Sequence, residues 1–408
     1  MSINEEYVGY VKNVFLKKLV EERSFEEMYV HPDPDSIVTA SLIGRLYSMA
    51  GLDIGFAPID RVGESGDKSL FIGFSRPRAS FKGFLLGRDK EFIVREDKMI
   101  LFRYNVSIST HVEESMKEHY RLPKELRSIV FSTYIYSSSK DGMLYSVEDD
   151  VIRIGLETFG PDISKTVLGL KILGYYDEIY IKRNLYNTID PFIPGVSGNR
   201  EKIDEIMSKA GEGRGKTYLE KISSLVNNYV GKDLVKIGNK PYFDQTMPFI
   251  DPYEVVHCIN MMINIDPLLT STYIATGSSG ISILAYKCRE LFPRLIEKIY
   301  DFINKKDVDV ISKKIENISF SEIVLKKCDK EILYEMYIIL RNLRNISENI
   351  LFNCGESYLI PMKKPLPMTK DLLERTRGSF VEIDDLKKIS EVMKYFEDDN
   401  KYEDKIRR

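Results

Sequence analysis

Residues 27–51, EMYVHPDPDSIVTASLIGRLYSMAG, constrain the fold more than any other stretch of the chain. An apolar run over 28–31 leads into a turn that carries His31, Asp33 and Asp35 at i, i+2 and i+4, so an extended backbone sets all three on one side. Asp35 or Ser36 is expected to cap a helix. Val38, Leu42, Leu46 and Met49 then recur at near-helical spacing, and Gly51 is placed to stop it. Carboxylates at a strand end beside a helix N-terminus are how many α/β proteins hold a divalent metal against a phosphate. Two readings stay open at this point: a solvated turn with a helix cap, or a metal site, working or vestigial.

The rest of the chain supplies the setting. Residues 1–22 read as a helix with a stripe of Val8, Val11, Phe15 and Leu19. Residues 54–59 read as a strand ending at Asp60-Arg61, and 70–74, LFIGF, as a third strand. That strand–helix–strand rhythm predicts a doubly wound, largely parallel sheet. Short strands are expected at 84–86, 91–94 and 99–103, and helices at 112–120, 124–137, 151–156 and 163–173. Residues 187–216, with Pro191, Pro194 and a Gly-rich end, read as a linker carrying a polar helix at 201–209, with a further helix over 217–229. The expected division is a first domain over 1–186, a linker with helical segments over 187–234, a second domain over 235–385 and a charged helix or tail over 386–408. In the second domain, TYIATGSSG reads as a strand and turn, Ser279 as the cap of a helix from Ile281, 332–343 as a helix, and 355–360 and 379–383 as strands.

Length and composition bound the class. At 408 residues the chain has room for two domains with their own cores, and 43% hydrophobic with 30% charged residues describes a globular protein. A net charge of −3 does not announce nucleic-acid binding, although an acidic total leaves room for a local basic groove. Cys258, Cys288, Cys328 and Cys354 form no CxxC pair and are expected as free or buried thiols of an intracellular protein. No apolar run approaches a membrane span.

Several constellations carry competing readings. A binuclear metal centre needs several carboxylates and histidines, yet the histidines, His31, His111, His119 and His257, are scattered, and only Asp60 is a recruit for Asp33 and Asp35. Arg76, Arg78, Arg88, Lys90 and Arg95, interleaved with Phe81, Phe84, Phe92 and Phe102, read either as a single-stranded DNA contact or as core aromatics beside a solvated face. Gly277, Ser278, Ser279 and Gly280 read as a phosphate-cradling loop or as an ordinary tight turn, since the Lys-Ser/Thr ending of a nucleotide loop is missing. Asn260 reads as a hydrogen-bonded core amide.

YVHPDPDSIVTASLIGRLY resembles the first motif of the DHH phosphoesterase superfamily, which includes the RecJ single-strand exonucleases. Ser36 stands where that family usually has Gly, and Ala40 and Ser41 fill its small positions. The strand 70–74 ends without the expected aspartate, no Asp-His-His triplet occurs, and FSTYIYSSS over 131–139 resembles the fourth motif with Tyr or Ser in place of Asp. VVHCINMMINIDP and TYIATGSSG resemble the start of a RecJ-type C-terminal domain, and 353–357 is the nearest match to the family's Gly-rich, His-bearing motif. The resemblance implies a DHH-type, mostly parallel sheet flanked by helices, a helical linker and a smaller mixed α/β C-terminal domain.

Loss of ligands makes the chain similar to the non-nucleolytic archaeal relatives, counterparts of the eukaryotic cell-division-cycle protein that joins the MCM helicase and GINS. The resemblance implies no cofactor, with His31, Asp33, Asp35 and Asp60 as motif remnants. It implies GINS as partner, MCM through GINS, contact with single-stranded DNA, no membrane, and a cytoplasmic, nucleoid-associated location. The alternative it leaves is a weak RecJ-like exonuclease or phosphoesterase using Mn or Mg at Asp33, Asp35 and Asp60.

Overall fold

The structure is a computed structural model that describes residues 4–22, 24–77, 81–95, 98–117, 120–139, 142–175, 178–304, 308–315, 318–343, 349–362 and 364–397. Helix α1, Glu5–Tyr10, continues as a wide π-helical run over Val11–Glu21, which buries Val11, Phe15 and Leu19. Strand β1, Glu27–Val30, feeds α2, Pro34–Met49. The next elements are β2 (Gly55–Phe56), a 3-10 turn over Ile59–Glu64, β3 (Ser69–Ser75), β4 (Phe84–Asp89), β5 (Ile93–Arg95) and β6 (Met99–Arg103). These strands form one sheet in the order β2-β1-β3-β4-β6-β5, parallel throughout except for β5 on β6. The parallel reading of the sequence holds, because LFIGF, FLLG and MILF are apolar on both alternations, as strands covered on two faces must be. The expected strand at 54–59 shrinks to two residues, and Asp60 falls in the 3-10 turn.

Two different partners cover the sheet. Leu70, Ile72, Phe84, Leu86, Ile100 and Phe102 pack in one core with α1, α2, α3 (Ile108–Met116) and α4 (Lys124–Ser137). The alternate residues Tyr29, Phe71, Phe74, Leu85, Met99 and Leu101 pack with the C-terminal part of the chain. The sheet is therefore helix-covered on one side and sheet-covered on the other, rather than wound by helices on both.

After α5 (Asp149–Phe159), strand β7 (Lys165–Leu170) leads to α6 (Ile181–Asn187), α7 (Arg200–Ala210), α8 (Gly215–Val230) and β8 (Ile237–Tyr242). β7 and β8 pair antiparallel from Lys165↔Tyr242 to Leu170↔Ile237. Leu185, Ile203, Ile206, Leu219, Ile222 and Val226 give this middle region a small core of its own. The helix expected over 163–173 is thus a strand. Its partner lies some seventy residues downstream, so nothing local marks it.

The C-terminal part begins with α9 (Pro252–Ile265), α10 (Pro267–Ala275) and α11 (Ser278–Ile303). It continues through β9 (Val308–Ile315), β10 (Ile318–Leu325), α12 (Lys330–Asn342), β11 (Ile350–Asn353), β12 (Tyr358–Pro361), α13 (Lys370–Glu374), β13 (Thr376–Arg377), β14 (Phe380–Ile383) and α14 (Ile389–Glu397). Its six strands run β13-β14-β12-β11-β10-β9 in a mixed sheet. The segment expected as a strand at TYIAT is helical, because Asp266 caps α10 through the Leu269 amide at 3.0 Å and Pro267 opens it. The β9–β10 hairpin is absent from the sequence reading. The cysteines are paired, Cys258 with Cys288 and Cys328 with Cys354, which corrects the expectation of free thiols. Separations of 30 and 26 residues carry no motif; the first pair is set by α9 lying on α11 and the second by the turn before α12 meeting the end of β11. None of the described helices is long and apolar enough to cross a membrane.

Candidate functional site

The acidic turn lies at the C-terminal end of β1, between β3 and the N-termini of two helices. The His31 amide donates to Ile72 O at 2.9 Å, which carries the strand pairing one residue past β1. Asp33 is the cap of α2: its carboxylate accepts from the Ser36 amide at 3.1 Å and from the Ser36 hydroxyl. The sequence pointed to Asp35 or Ser36 instead; Pro34 at the first helical position moves the boundary back. His31 Nδ1 donates to Asp33 Oδ2 at 2.8 Å. Gly73 makes room for this turn at φ +82°, where a Cβ would fall 1.8 Å from Ser36 Oγ and 3.1 Å from the His31 Cβ. Glycine is required there on both counts.

Asp35, one turn into α2, is fully buried and accepts five hydrogen bonds. Oδ1 takes the Ser107 hydroxyl at 2.8 Å, the Ser109 hydroxyl at 2.6 Å and the Ser109 amide at 3.2 Å. Oδ2 takes the Ile108 amide at 2.7 Å and Arg88 Nη2 at 2.6 Å. Ile108 and Ser109 are the first residues of α3, so the carboxylate sits on that helix's positive end, and α3 has no acidic residue of its own in its first turn. Arg88 comes from the end of β4, is 7% exposed, and also reaches Asp33 Oδ1 at 3.4 Å. Burial opposes ionisation of Asp33, but the Arg88 charge and then the His31 contacts hold its carboxyl well below the usual range. Burial likewise works against the Arg88 charge, and the two aspartates overcome it and push its pKa up.

A carboxylate offers about four lone-pair sites, and those of Asp35 are taken by protein donors, one of them a full positive charge. A divalent ion would have to displace a guanidinium and two helix amides. Asp60 is exposed in its 3-10 turn, and among the described residues no three His, Cys, Asp or Glu side chains form a group able to hold a metal. The residues present do not fit the Mn or Mg site of the alternative reading. His31, Asp33 and Asp35 are brought together; Asp60 is not brought into a group with them.

The remaining candidates are dispersed. Arg76 and Arg95 are exposed, Lys90 is half-buried, Arg88 is committed to the aspartates, and Arg78 lies outside the described residues, as does His119. Phe84 and Phe102 are core, Phe92 stacks on Tyr7 at 3.8 Å between ring centroids, and Phe81 stands edge-on to Phe71 at 5.8 Å. The aromatics of that run are structural. Gly277 lies between two helices rather than between a strand and a helix and caps α11, Ser278, Ser279 and Gly280 form the first turn of that helix, and the Ser278 hydroxyl donates to Glu125 at 2.8 Å. Asn260 is buried in the core as expected, but its side-chain carbonyl oxygen finds no hydrogen-bond partner among the described residues, so the hydrogen-bonded half of that expectation fails.

Sequence reading missed two features. The first is a groove of about 280 Å³ beside the aspartates, with Arg88, Tyr136, Tyr334, Arg341 and Lys364 on its walls. Tyr136 belongs to the segment that resembles the fourth motif, which was the one available signal. The second is a buried cluster in which His257 of α9 reaches Glu335 of α12 through Nδ1 at 2.8 Å and Asp190 through Nε2 at 2.9 Å. Burial disfavours the imidazolium, but Glu335 and Asp190 outweigh it and raise its pKa to about 10.

No family model matches the chain, and no curated protein matches it in sequence. Among solved structures, CDC45 from Entamoeba histolytica superposes with a TM-score of 0.52 at 12% identity, over 91% of this chain and 91% of that one. The fold is of the CDC45 type. RecJ from Thermus thermophilus with Mn2+ gives a TM-score of 0.42 at 9% identity over 87% of this chain and 46% of that chain. An exonuclease RecJ bound to manganese gives 0.41 at 8% identity, over 88% and 81%. At 12% identity the likeness to CDC45 concerns the fold, with its two α/β parts, and leaves the chemistry to be argued from the residues.

Proposed function

We propose that this chain is a non-hydrolytic component of the archaeal replicative helicase assembly, binding GINS, supporting MCM through it, and contacting single-stranded DNA. One observation carries the reading: Arg88 puts a permanent cation against both aspartates of the acidic turn. The phosphoesterase chemistry of this fold type depends on carboxylates that are free to bind metal and activate water; here they are spent on an arginine and on the start of α3. The CDC45-like fold over nine-tenths of the chain supports the same reading. Tyr136, Tyr334, Arg341 and Lys364 line the groove, and aromatic side chains beside basic ones suit single-stranded nucleic acid, which supports the groove as the candidate DNA contact. Exposed Arg76 and Arg95 are candidates for further backbone contacts. The location implied is cytoplasmic and nucleoid-associated.

The test has two arms. Purified protein with manganese and labelled single-stranded DNA is expected to release no nucleotides, and co-purification with GINS is expected to yield a stable complex. Hydrolysis that disappears in Asp33→Ala/Asp35→Ala protein would restore the exonuclease reading. Failure to bind GINS at micromolar concentrations would remove the helicase assignment. For the DNA contact, Arg341→Glu is expected to weaken single-strand binding and flatten its salt dependence.

A further inference from the structure

β9 closes one edge of the second sheet, and among the described residues no strand pairs with its outer side. Sheet edges are ordinarily guarded by shortness, bulges or unmatched charge. This one is eight residues long, VDVISKKI, and pairs with β10 without a bulge along its whole length. Val310 and Ile311 leave 46% and 42% of their surface exposed, on opposite faces of the strand. Lys313 pairs with Glu322 on the neighbouring strand and Asp309 is exposed.

The order of charges along β9 selects a partner. Directly opposed residues in an antiparallel pair are either both hydrogen-bonded to each other or both turned away. A two-fold axis between identical strands must therefore pass through a residue, not between two. An axis at Ile311 sets Asp309 opposite Lys313 of the second copy, and Lys313 opposite that copy's Asp309. The two Ile311 side chains then meet, and each Val310 lies on a Ser312. An axis at Val310 or Ser312 opposes Asp309 to an isoleucine, and an axis at Lys313 brings two lysines together. Opposite charges across strands stabilise and like charges destabilise, so only one of these registers is self-complementary.

We propose that β9 is a homodimer seam: a second copy of this chain adds its own β9, antiparallel about a two-fold axis at Ile311, and joins the two sheets into one. The contact is isologous and closes after two copies, so it does not propagate. It uses neither the acidic turn nor the groove, and it stands or falls apart from the function proposed above.

Sedimentation of the full chain is expected to show a dimer at micromolar concentration, and Asp309→Lys is expected to weaken the dimer at least tenfold. In oxidised protein, Ile311→Cys is expected to give a cross-linked dimer, because facing residues lie within disulfide reach. Val310→Cys, displaced from its twin by two residues along the seam, is expected to give none, and the native cysteines are already paired. Circular dichroism checks that each variant is folded. A wild-type chain that stays monomeric at high micromolar concentration overturns the proposal, as does equal cross-linking at both positions. Capture of a strand from a different protein by a chain that remains monomeric also overturns it.

Discussion

Two places in this molecule hold a pair of carboxylates around one cation, and they solve the same problem in different ways. At the end of β1, Asp33 and Asp35 share Arg88; between the middle region and the core helices, Asp190 and Glu335 share His257. A guanidinium keeps its charge at every accessible pH, whereas an imidazolium keeps its charge only while its surroundings force it to. The first cluster holds a permanent cation. The second holds its cation conditionally, and it ties together segments from three parts of the chain.

The largest effect is expected from removing the permanent cation. Arg88→Met leaves Asp35 buried without its counter-charge, at a cost of about 3–5 kcal/mol, read as a lowered urea midpoint. A loss below about 1 kcal/mol would mean that the helix amides alone satisfy Asp35, and the contrast between the clusters would collapse. Asp33, held low, contributes its stability fully above pH 3.8 and loses it as the pH falls below that value. Arg88 adds no alkaline limb.

The His257 cluster should show the opposite limb. A group whose pKa is raised from 6.5 to about 10 stabilises fully below pH 6.5 and loses that contribution as the pH climbs toward 10. Wild-type protein is therefore expected to lose roughly 3–5 kcal/mol across that window, because a neutral imidazole presents a lone pair to one of its carboxylates. His257→Gln should be destabilised at neutral pH and should lack the alkaline slope; an unchanged slope would place the titration elsewhere. Gly73→Ala is expected to cost about 1–3 kcal/mol, through the positive φ and the displacement of Ser36 from Asp33, and thermal melting measures it. Asp60→Asn should change stability by less than about 0.5 kcal/mol, which separates the exposed aspartate from the two it was grouped with.

The same contrast explains what the sequence made legible. The strand-to-helix turn, the parallel strands over 69–75 and 99–103 and the helix over 124–137 are written in local periodicity, and all are present. In the sequence Arg88 reads as one cation of a basic run interleaved with aromatics, either a single-stranded DNA contact or part of a solvated face. Its real sign is its phase: it lies in line with Leu86 on a buried strand, so its side chain points inward. His257 stood alone in an apolar helix, with acids 67 and 78 residues away, and no spacing rule connects such positions. Long-range pairing likewise hid β7, whose residues 163–173 are apolar enough to pass for a helix.

Asp35 carries a further consequence. Its carboxylate is the joint at which the beginnings of α2 and α3 are fastened to the sheet, so the protein would be damaged by losing it even if no substrate ever approached. A residue first recognisable as chemical equipment here serves as masonry. Such a residue keeps a sequence signature readable for architectural reasons alone, and the signature then reports how the chain is built rather than any trade practised inside it.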